Sequence, residues 1–466
     1  MADPKSEVLL DKKKTAPGKS GVDDVDKVMT KQVAFSWKEN VLTGVTGIIV
    51  CLIVALIAMF FQANLSLPAP TTTSPDDDDN IADLMEWLTI NGATVDGVEI
   101  AHDGNGGHLL QSTRPVQQND VLVKLPMLLV IGKQRLVDDP VVGPLLQETP
   151  DMDETMAFTM FLLANLNTPE WMPYIDLLPT SVPSPLFWDD DDMSWLKGSM
   201  LTRMTKQLAE NLADQFQFVF PIIPEITFEQ YKTMWTVAAG RVWGLRLGDG
   251  TVTNVLMPFI DMINHDAKAS VIVNYDDETD TVRVIATTDI PAETPVFSFY
   301  HSSSHADRLF GFGFTSPDDT QVTSCMVEVA DAGDCKIEFG AGDAAHETVF
   351  DCIDRVRQGE SGDLEKEKSA LSAVKDAAAA AMSGFDTDIE ADEAMLQHGA
   401  AALTANQLNA VRARLSEKKC LRSTMSVVDD AVEALADPAK WVAFETKFGS
   451  WNGAMDYASQ FKTTGQ

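Results

Sequence analysis

Between residues 81 and 300 the repeat of the apolar residues changes twice, which confines the chain to folds in which helices interrupt a set of strands. Residues 81–135 set short apolar runs (GVEIA, VLVKLP, LLVIG) between turn residues such as 104-GNGG-107, the pattern of short strands. Residues 150–240 carry helical spacing instead, in 155-TMAFTMFLLANL-166 and 228-FEQYKTMWTVAAGRVWGL-245. Strand texture returns in 271-VIVNYDD-277, 281-TVRVIATTDI-290 and 295-PVFSFY-300. From about residue 340 the pattern is mostly helical, with 369-SALSAVKDAAAAAM-382 and 403-LTANQLNAVRARLSEKKCL-421. The pattern predicts an α+β fold: a β-rich unit over 81–316 with a helical insert at about 150–240, then an all-α domain over 317–466.

A second constraint precedes this region. Val41–Phe61, VLTGVTGIIVCLIVALIAMFF, runs 21 residues without a charge. A helix rising 1.5 Å per residue would carry it across a hydrocarbon layer of roughly 30 Å. A single transmembrane helix over 41–63 is therefore expected, after a tail over 1–40 and before a solvated linker over 64–80 rich in Pro, Thr, Ser and Asp. The membrane would then be a partner through residues 41–63 and the localisation single-pass, with organelle and orientation open.

Charge and cysteines exclude several classes. With 35 basic against 70 acidic residues the net charge is −35, which argues against nucleic acid as a partner. The five cysteines, at 51, 325, 335, 352 and 420, are odd in number and widely spaced. They suggest free thiols in a reducing compartment, and no disulfide framework or metal site. His301 and His305 stand four apart, but without HExxH no metal is expected there. In 104-GNGGHLL-110 the sixth position of GxGxxG is Leu109, and GxSxG and GxxxxGK[ST] are missing from the sequence.

Five segments make sense together. These are 91-NGATVDGVEIAHDGNGGHLLQSTRPVQQNDVLVKLP-126, 171-WMPYIDLLPTSVPSPLFW-188, 255-VLMPFIDMINHD-266, 295-PVFSFYHSSSHADRLFGFGF-314, and the tail runs 383-SGFDTDIEADEAML-396 and 412-RARLSEKKCL-421. In this order and spacing the chain resembles the SET-domain protein methyltransferases of the Rubisco large-subunit lysine and actin-histidine group. The tail resembles that group's helical substrate-binding domain.

The resemblance implies a fold, a cofactor and a site. S-adenosylmethionine would be the cofactor, and a protein lysine, or less favourably a histidine, the acceptor. Asn264 would lie near the cofactor ammonium and the His265 backbone near adenine, with Asp261, Met262 and Ile263 in the strand leading to them. Gly106, Gly107 and His108 would supply the glycine-rich turn, and the Arg241 guanidinium would meet the cofactor carboxylate. Tyr300 would be catalytic, its hydroxyl orienting the incoming nitrogen. Methyl transfer needs in-line positioning more than acid–base power, which such a set can supply.

The chain departs from the family pattern at four places. Leu109 and His301 stand where the family has glycine, His305 where it has asparagine, and Phe312 where it has tyrosine. Two other readings stay open on the sequence: a SET-fold docking protein with little turnover, and a membrane-tethered acidic scaffold.

Overall fold

The computed structural model describes residues 77–102, 107–301, 303–316, 322–330, 332–340, 347–357, 364–437, 439–440 and 442–444. Helix α1 (Asp77–Ile90) begins inside the stretch expected to be linker and replaces the strand texture up to Ile90. It does so because Leu84 and Leu88, four apart, fall on one face and are buried in the core.

Strands β1 (Thr94–Val95), β2 (Val98–His102), β3 (His108–Ser112) and β4 (Val121–Pro126) follow. β2 and β3 form an antiparallel hairpin. Two short helices, α2 (Lys133–Asp138) and α3 (Val142–Glu148), precede the expected insert, which is helical, as its spacing predicts: α4 (Glu154–Ala164), α5 (Met172–Ile175), α6 (Asp190–Ser194), α7 (Met200–Val219) and α8 (Phe228–Arg241). α4 is apolar around its circumference and is buried accordingly, with Phe158 and Phe161 in the core. Asp153 caps it, accepting the Met156 N–H at 2.9 Å. α8 starts with a reciprocal Thr227/Gln230 capping box. It stops at Arg241, because Val242 turns to extended backbone and Trp243 enters the next strand. The run 228–245, which reads as one helix, is therefore a helix and a strand.

That strand, β5 (Trp243–Arg246), pairs antiparallel with β6 (Val252–Val255). Then come β7 (Asn264–His265), β8 (Val271–Asp276), β9 (Thr281–Ala286) and β10 (Phe297–Ser298). The main sheet has four antiparallel strands in the order β1-β4-β9-β8. Its face is set by simple alternation: Val282, Val284 and Ala286 on β9 point into the core, with Val123 and Leu125 on β4 opposite Val284 and Val282. β7 and β10 make a short parallel pair, Asn264 opposite Phe297 and His265 opposite Ser298.

Helix α9 (His305–Phe312) is capped by Ser304 and ends at Gly313, whose φ is 78°. A Cβ there would sit 3.0 Å from the Pro183 carbonyl carbon, so glycine both takes the left-handed conformation and lets the insert approach. His301 precedes this helix, so it shares no helix face with His305.

The region beyond residue 316 is not all-α. β11 (Thr323–Val329) and β12 (Gly333–Phe339) form a regular antiparallel hairpin. Helices α10 (Glu347–Val356), α11 (Leu364–Ser383), α12 (Ile389–Ala394) and α13 (Ala405–Ala436) complete the region. Val327, Val329 and Ile337 of the hairpin share a core with Val349, Leu371, Val374, Leu421 and Val428. The hairpin's alternation, buried at every second residue, lies in a stretch that the sequence reading passed over.

The free-thiol expectation is also corrected. Cys325 is bonded to Cys420 and Cys335 to Cys352, joining the hairpin to α13 and to α10. Pairs 95 and 17 residues apart meet because the hairpin lies between those helices, which spacing alone does not reveal.

α13 touches more than one core. Ala410 and Ala413 pack with Leu196, Met200, Leu201, Ala306 and Leu309, while Cys420, Leu421 and Val428 belong to the hairpin core. Between these faces Glu417 accepts the Met200 N–H at 2.8 Å and the Ser199 hydroxyl proton at the start of α7. Asp392, fully buried, binds Arg414 at 2.7 Å and Lys418 at 2.6 Å.

The single-pass membrane localisation is corrected on the described residues, which lend no support to the membrane as a partner. No helix among the described residues is long and apolar enough to cross a membrane. The longest, α13, carries Arg412, Arg414, Glu417, Lys418, Lys419 and Arg422 along its middle, and central charges are costly in hydrocarbon. Residues 41–63 lie outside the described residues.

Candidate active site

The segment after β6 turns sharply. Phe259, buried, takes a left-handed φ of 72°, and Ile260–Met262 form one 3₁₀ turn. Asp261, Met262 and Ile263 are therefore not in a strand; only Asn264 and His265 are. The turn buries the side chains of all three, so Met262 and Ile263 are core residues. Their contribution to the site is backbone.

Tyr300, two residues beyond β10, lies directly over that backbone. Its hydroxyl donates to the Ile263 carbonyl at 2.8 Å, and its own N–H donates to His265 Nδ1 at 3.1 Å. The His265 Nδ1 is thereby an acceptor, so a neutral imidazole there carries its proton on Nε2. Burial pushes the Tyr300 phenol up to about 12, moderated by nearby Arg241. It stays protonated at working pH and donates to Ile263 while its oxygen can still accept an N–H.

Aromatic rings enclose the phenol. Trp243 stands edge-on at 5.8 Å between centroids, with Phe312 and His265 each at 5.2 Å. Phe312 fills its place as a ring wall, without the hydroxyl the family has there. His301 packs against Phe312 at 5.6 Å, and burial lowers its imidazole to about 4, so it is neutral. Phe299, 42% exposed, lies 5.5 Å from the His265 ring.

Asn264 donates from Nδ2 to the His108 carbonyl at 3.4 Å, joining β7 to the start of β3. His108 pairs with His102 across the β2–β3 hairpin. Gly107 immediately precedes β3, and Gly106 lies outside the described residues. Leu109 pairs with Ala101 in the same hairpin.

Arg241, the last residue of α8, donates Nη1 to the Asp261 carbonyl at 2.8 Å and lies 3.5 Å from Asp261 Oδ1. Its side chain is 19% exposed and that of Asp261 fully buried. The other Asp261 oxygen accepts the Tyr174 hydroxyl at 2.5 Å. Desolvation raises the Asp261 carboxyl to about 6, opposed by Arg241 and Tyr174. Asp261 is thus buried in a turn, held by Tyr174 and Arg241, where the sequence expectation had a strand leading to Asn264 and His265. Sequence reasoning missed Tyr174 and Trp243 as site residues; the WMPY run held Tyr174, but nothing in its local pattern links it to Asp261, 87 residues on.

The fold is the SET-type α/β fold, followed by a mainly helical C-terminal region. Residues 345–421 match the family model described as Rubisco LSMT substrate-binding. The chain is 26% identical over 254 residues to the actin-histidine N-methyltransferase of Homo sapiens, covering 51% of this chain and 42% of that protein. The Gallus gallus protein of the same name is 26% identical over 255 residues, with the same coverage. The chain thus spans about two-fifths of the length of the curated relatives it matches. A solved structure of the SET domain of LSMT bound to lysine and AdoHcy superposes with a TM-score of 0.62 at 16% identity, covering 76% of this chain and 92% of that one. Rubisco LSMT bound to AdoMet gives 0.61 at 16% identity, covering 84% and 97%. The resemblance to this methyltransferase group, read from five sequence segments, is borne out.

Proposed function

We propose that the chain is an S-adenosylmethionine-dependent protein N-methyltransferase, with a SET domain over 81–316 and a substrate-binding domain over 317–466. The observation that carries the reading is the Tyr300 hydroxyl, enclosed by rings and held 2.8 Å from the Ile263 carbonyl beside Asn264 and His265.

The residues present suit that cofactor. The Asn264 amide offers an oxygen for an ammonium, since among the described residues its hydrogen bond to His108 uses Nδ2. Arg241 uses Nη1 on Asp261, and among the described residues neither Nε nor Nη2 is engaged, which suits a carboxylate. Backbone of Gly107, His108 and His265 would serve the adenine; Gly106, the remaining residue of that expected set, lies outside the described residues. When bound, S-adenosylmethionine supplies an electrophilic methyl on a sulfonium. Tyr300 accepts an N–H of the incoming side chain and turns the nitrogen lone pair toward that methyl. The rings of Trp243, Phe312 and His265 enclose the Tyr300 phenol and exclude water from it.

Lysine is the acceptor assigned first, because an amine fits an aromatic enclosure that also tolerates its methylated, cationic product. Histidine is the second reading, favoured by the likeness to actin-histidine N-methyltransferase. The test incubates the protein and its Tyr300→Phe variant with methyl-labelled S-adenosylmethionine and protein extract. A labelled band made by the parent and lost in the variant supports the reading, and excision identifies the residue. Cofactor binding without any band would leave a docking protein; no binding would sink the reading.

A further inference from the structure

The most buried polar arrangement near the site is the one that the proposed chemistry leaves unused. Asp261 is held from three directions. Its N–H donates to the Met257 carbonyl at 3.0 Å, its Oδ2 accepts the Tyr174 hydroxyl at 2.5 Å, and its Oδ1 faces Arg241 Nη1 at 3.5 Å. Tyr174 is itself fully buried, and burial drives its phenol well above the ordinary tyrosine range, so it can act only as the donor. The left-handed Phe259 and the single 3₁₀ turn bring the Asp261 carbonyl and carboxylate to the same guanidinium. A buried carboxylate is costly unless paired and hydrogen-bonded, and here both partners come from the helical insert: Tyr174 from α5 and Arg241 from the end of α8.

We propose that Asp261 and Tyr174 are a positioning pair that presents the Arg241 guanidinium to the carboxylate end of the bound cofactor, so that the helical insert sets cofactor affinity. The inference rests on the cofactor reading given above. Neither residue touches cofactor. Tyr174 fixes the Asp261 carboxylate, the carboxylate and its own carbonyl fix Nη1, and the free edge of the guanidinium is left in one orientation. The groups facing Asp261 are Arg241 from α8, Tyr174 from α5 and, at longer range, Tyr300 beyond β10.

The test measures the affinity of the full chain for S-adenosylhomocysteine and for its analogue lacking the carboxylate, in the parent, Tyr174→Phe and Asp261→Asn. Removing a hydrogen bond to a charged group corresponds to roughly tenfold or more in affinity. That loss is expected for S-adenosylhomocysteine in both variants, with less than about twofold change for the decarboxylated analogue. Parent affinity for S-adenosylhomocysteine should also weaken as pH falls through about 6, where Asp261 takes up its proton, and stay flat in Asp261→Asn. Should Asp261→Asn fail to fold, the milder Tyr174→Phe carries the comparison alone. Equal weakening of both nucleosides, or no weakening of either, overturns the proposal and leaves the cofactor reading standing. A parent that binds neither nucleoside overturns both.

Discussion

Replacing Glu417 by Gln should change how stability depends on pH, and the structure gives the sign and the size. Glu417 is buried where α13 meets the start of α7, accepting from Ser199 and Met200. Burial raises its carboxyl from 4.5 to about 8, with Asp307 pushing the same way and Ser199, Met200 and Lys418 opposing. A raised value in the folded state means that the folded protein holds one more proton than the unfolded chain between those limits. Its stability contribution is therefore complete below about pH 4.5 and is lost as pH rises to about 8. The slope is about 1.4 kcal/mol per pH unit, so this carboxyl alone lowers stability by roughly 3 kcal/mol from pH 5.5 to 7.5. Gln is uncharged at every pH and keeps both contacts, its oxygen accepting from Met200 and its amide donating to Ser199. Urea unfolding at constant ionic strength, followed by tryptophan fluorescence, measures both proteins at pH 5.5, 6.5 and 7.5. The parent should lose stability relative to Glu417→Gln by that amount, with the variant the more stable at pH 7.5. Parallel pH profiles would show that Glu417 is ionised in the folded protein and refute the argument.

Asp392→Ala leaves Arg414 and Lys418 facing each other without their shared carboxylate, and should cost about 3–5 kcal/mol in urea unfolding; a loss under about 1 kcal/mol would contradict the packing. Reducing Cys325–Cys420, or replacing Cys420 by Ser, should lower stability by about 2–5 kcal/mol. Before reduction, the denatured chain should alkylate at Cys51 alone, and labelling at five positions would exclude both bonds. Tyr300→Phe should slow methyl transfer by about 10²-fold or more while S-adenosylhomocysteine affinity changes little, as when an oriented hydroxyl is removed from a transition state. Comparable loss of affinity would make Tyr300 a binding residue.

Local signals gave α4, the long C-terminal helices and the main strands, but not α1. The all-apolar run at 155–166 and the alternation at 281–290 each encode burial within a few residues, and α4 and β9 occupy those stretches. What local signals could not encode is what meets across the chain. Val242 looks helical by its neighbours, yet it turns extended and Trp243 pairs with Val255. Asp261 reads as a polar residue in a ligand motif, and its actual surroundings, Tyr174 and Arg241, lie 87 and 20 residues away. The cysteines show the same limit: their spacing suggests isolation, and the hairpin brings them together. Tyr300 bonds to Ile263 and His265, which flank Asn264, while the side chains of Met262 and Ile263 are buried in the core.

Helix α13 is a shared wall. It carries Asn409, which accepts from the Thr315 N–H at 3.1 Å and hydroxyl at 2.6 Å, then the alanines under Leu196 and Leu201, then Glu417 on α7, and last the hairpin core. A sequence boundary at residue 316 therefore cuts through side chains that interlock on both flanks. Grafting the C-terminal region of a relative onto this chain would require exchanging residues 195–201 with it. Recombination at residue 316 alone would join two halves whose surfaces were fitted to other partners, so the C-terminal region is exchanged intact only together with part of the insert.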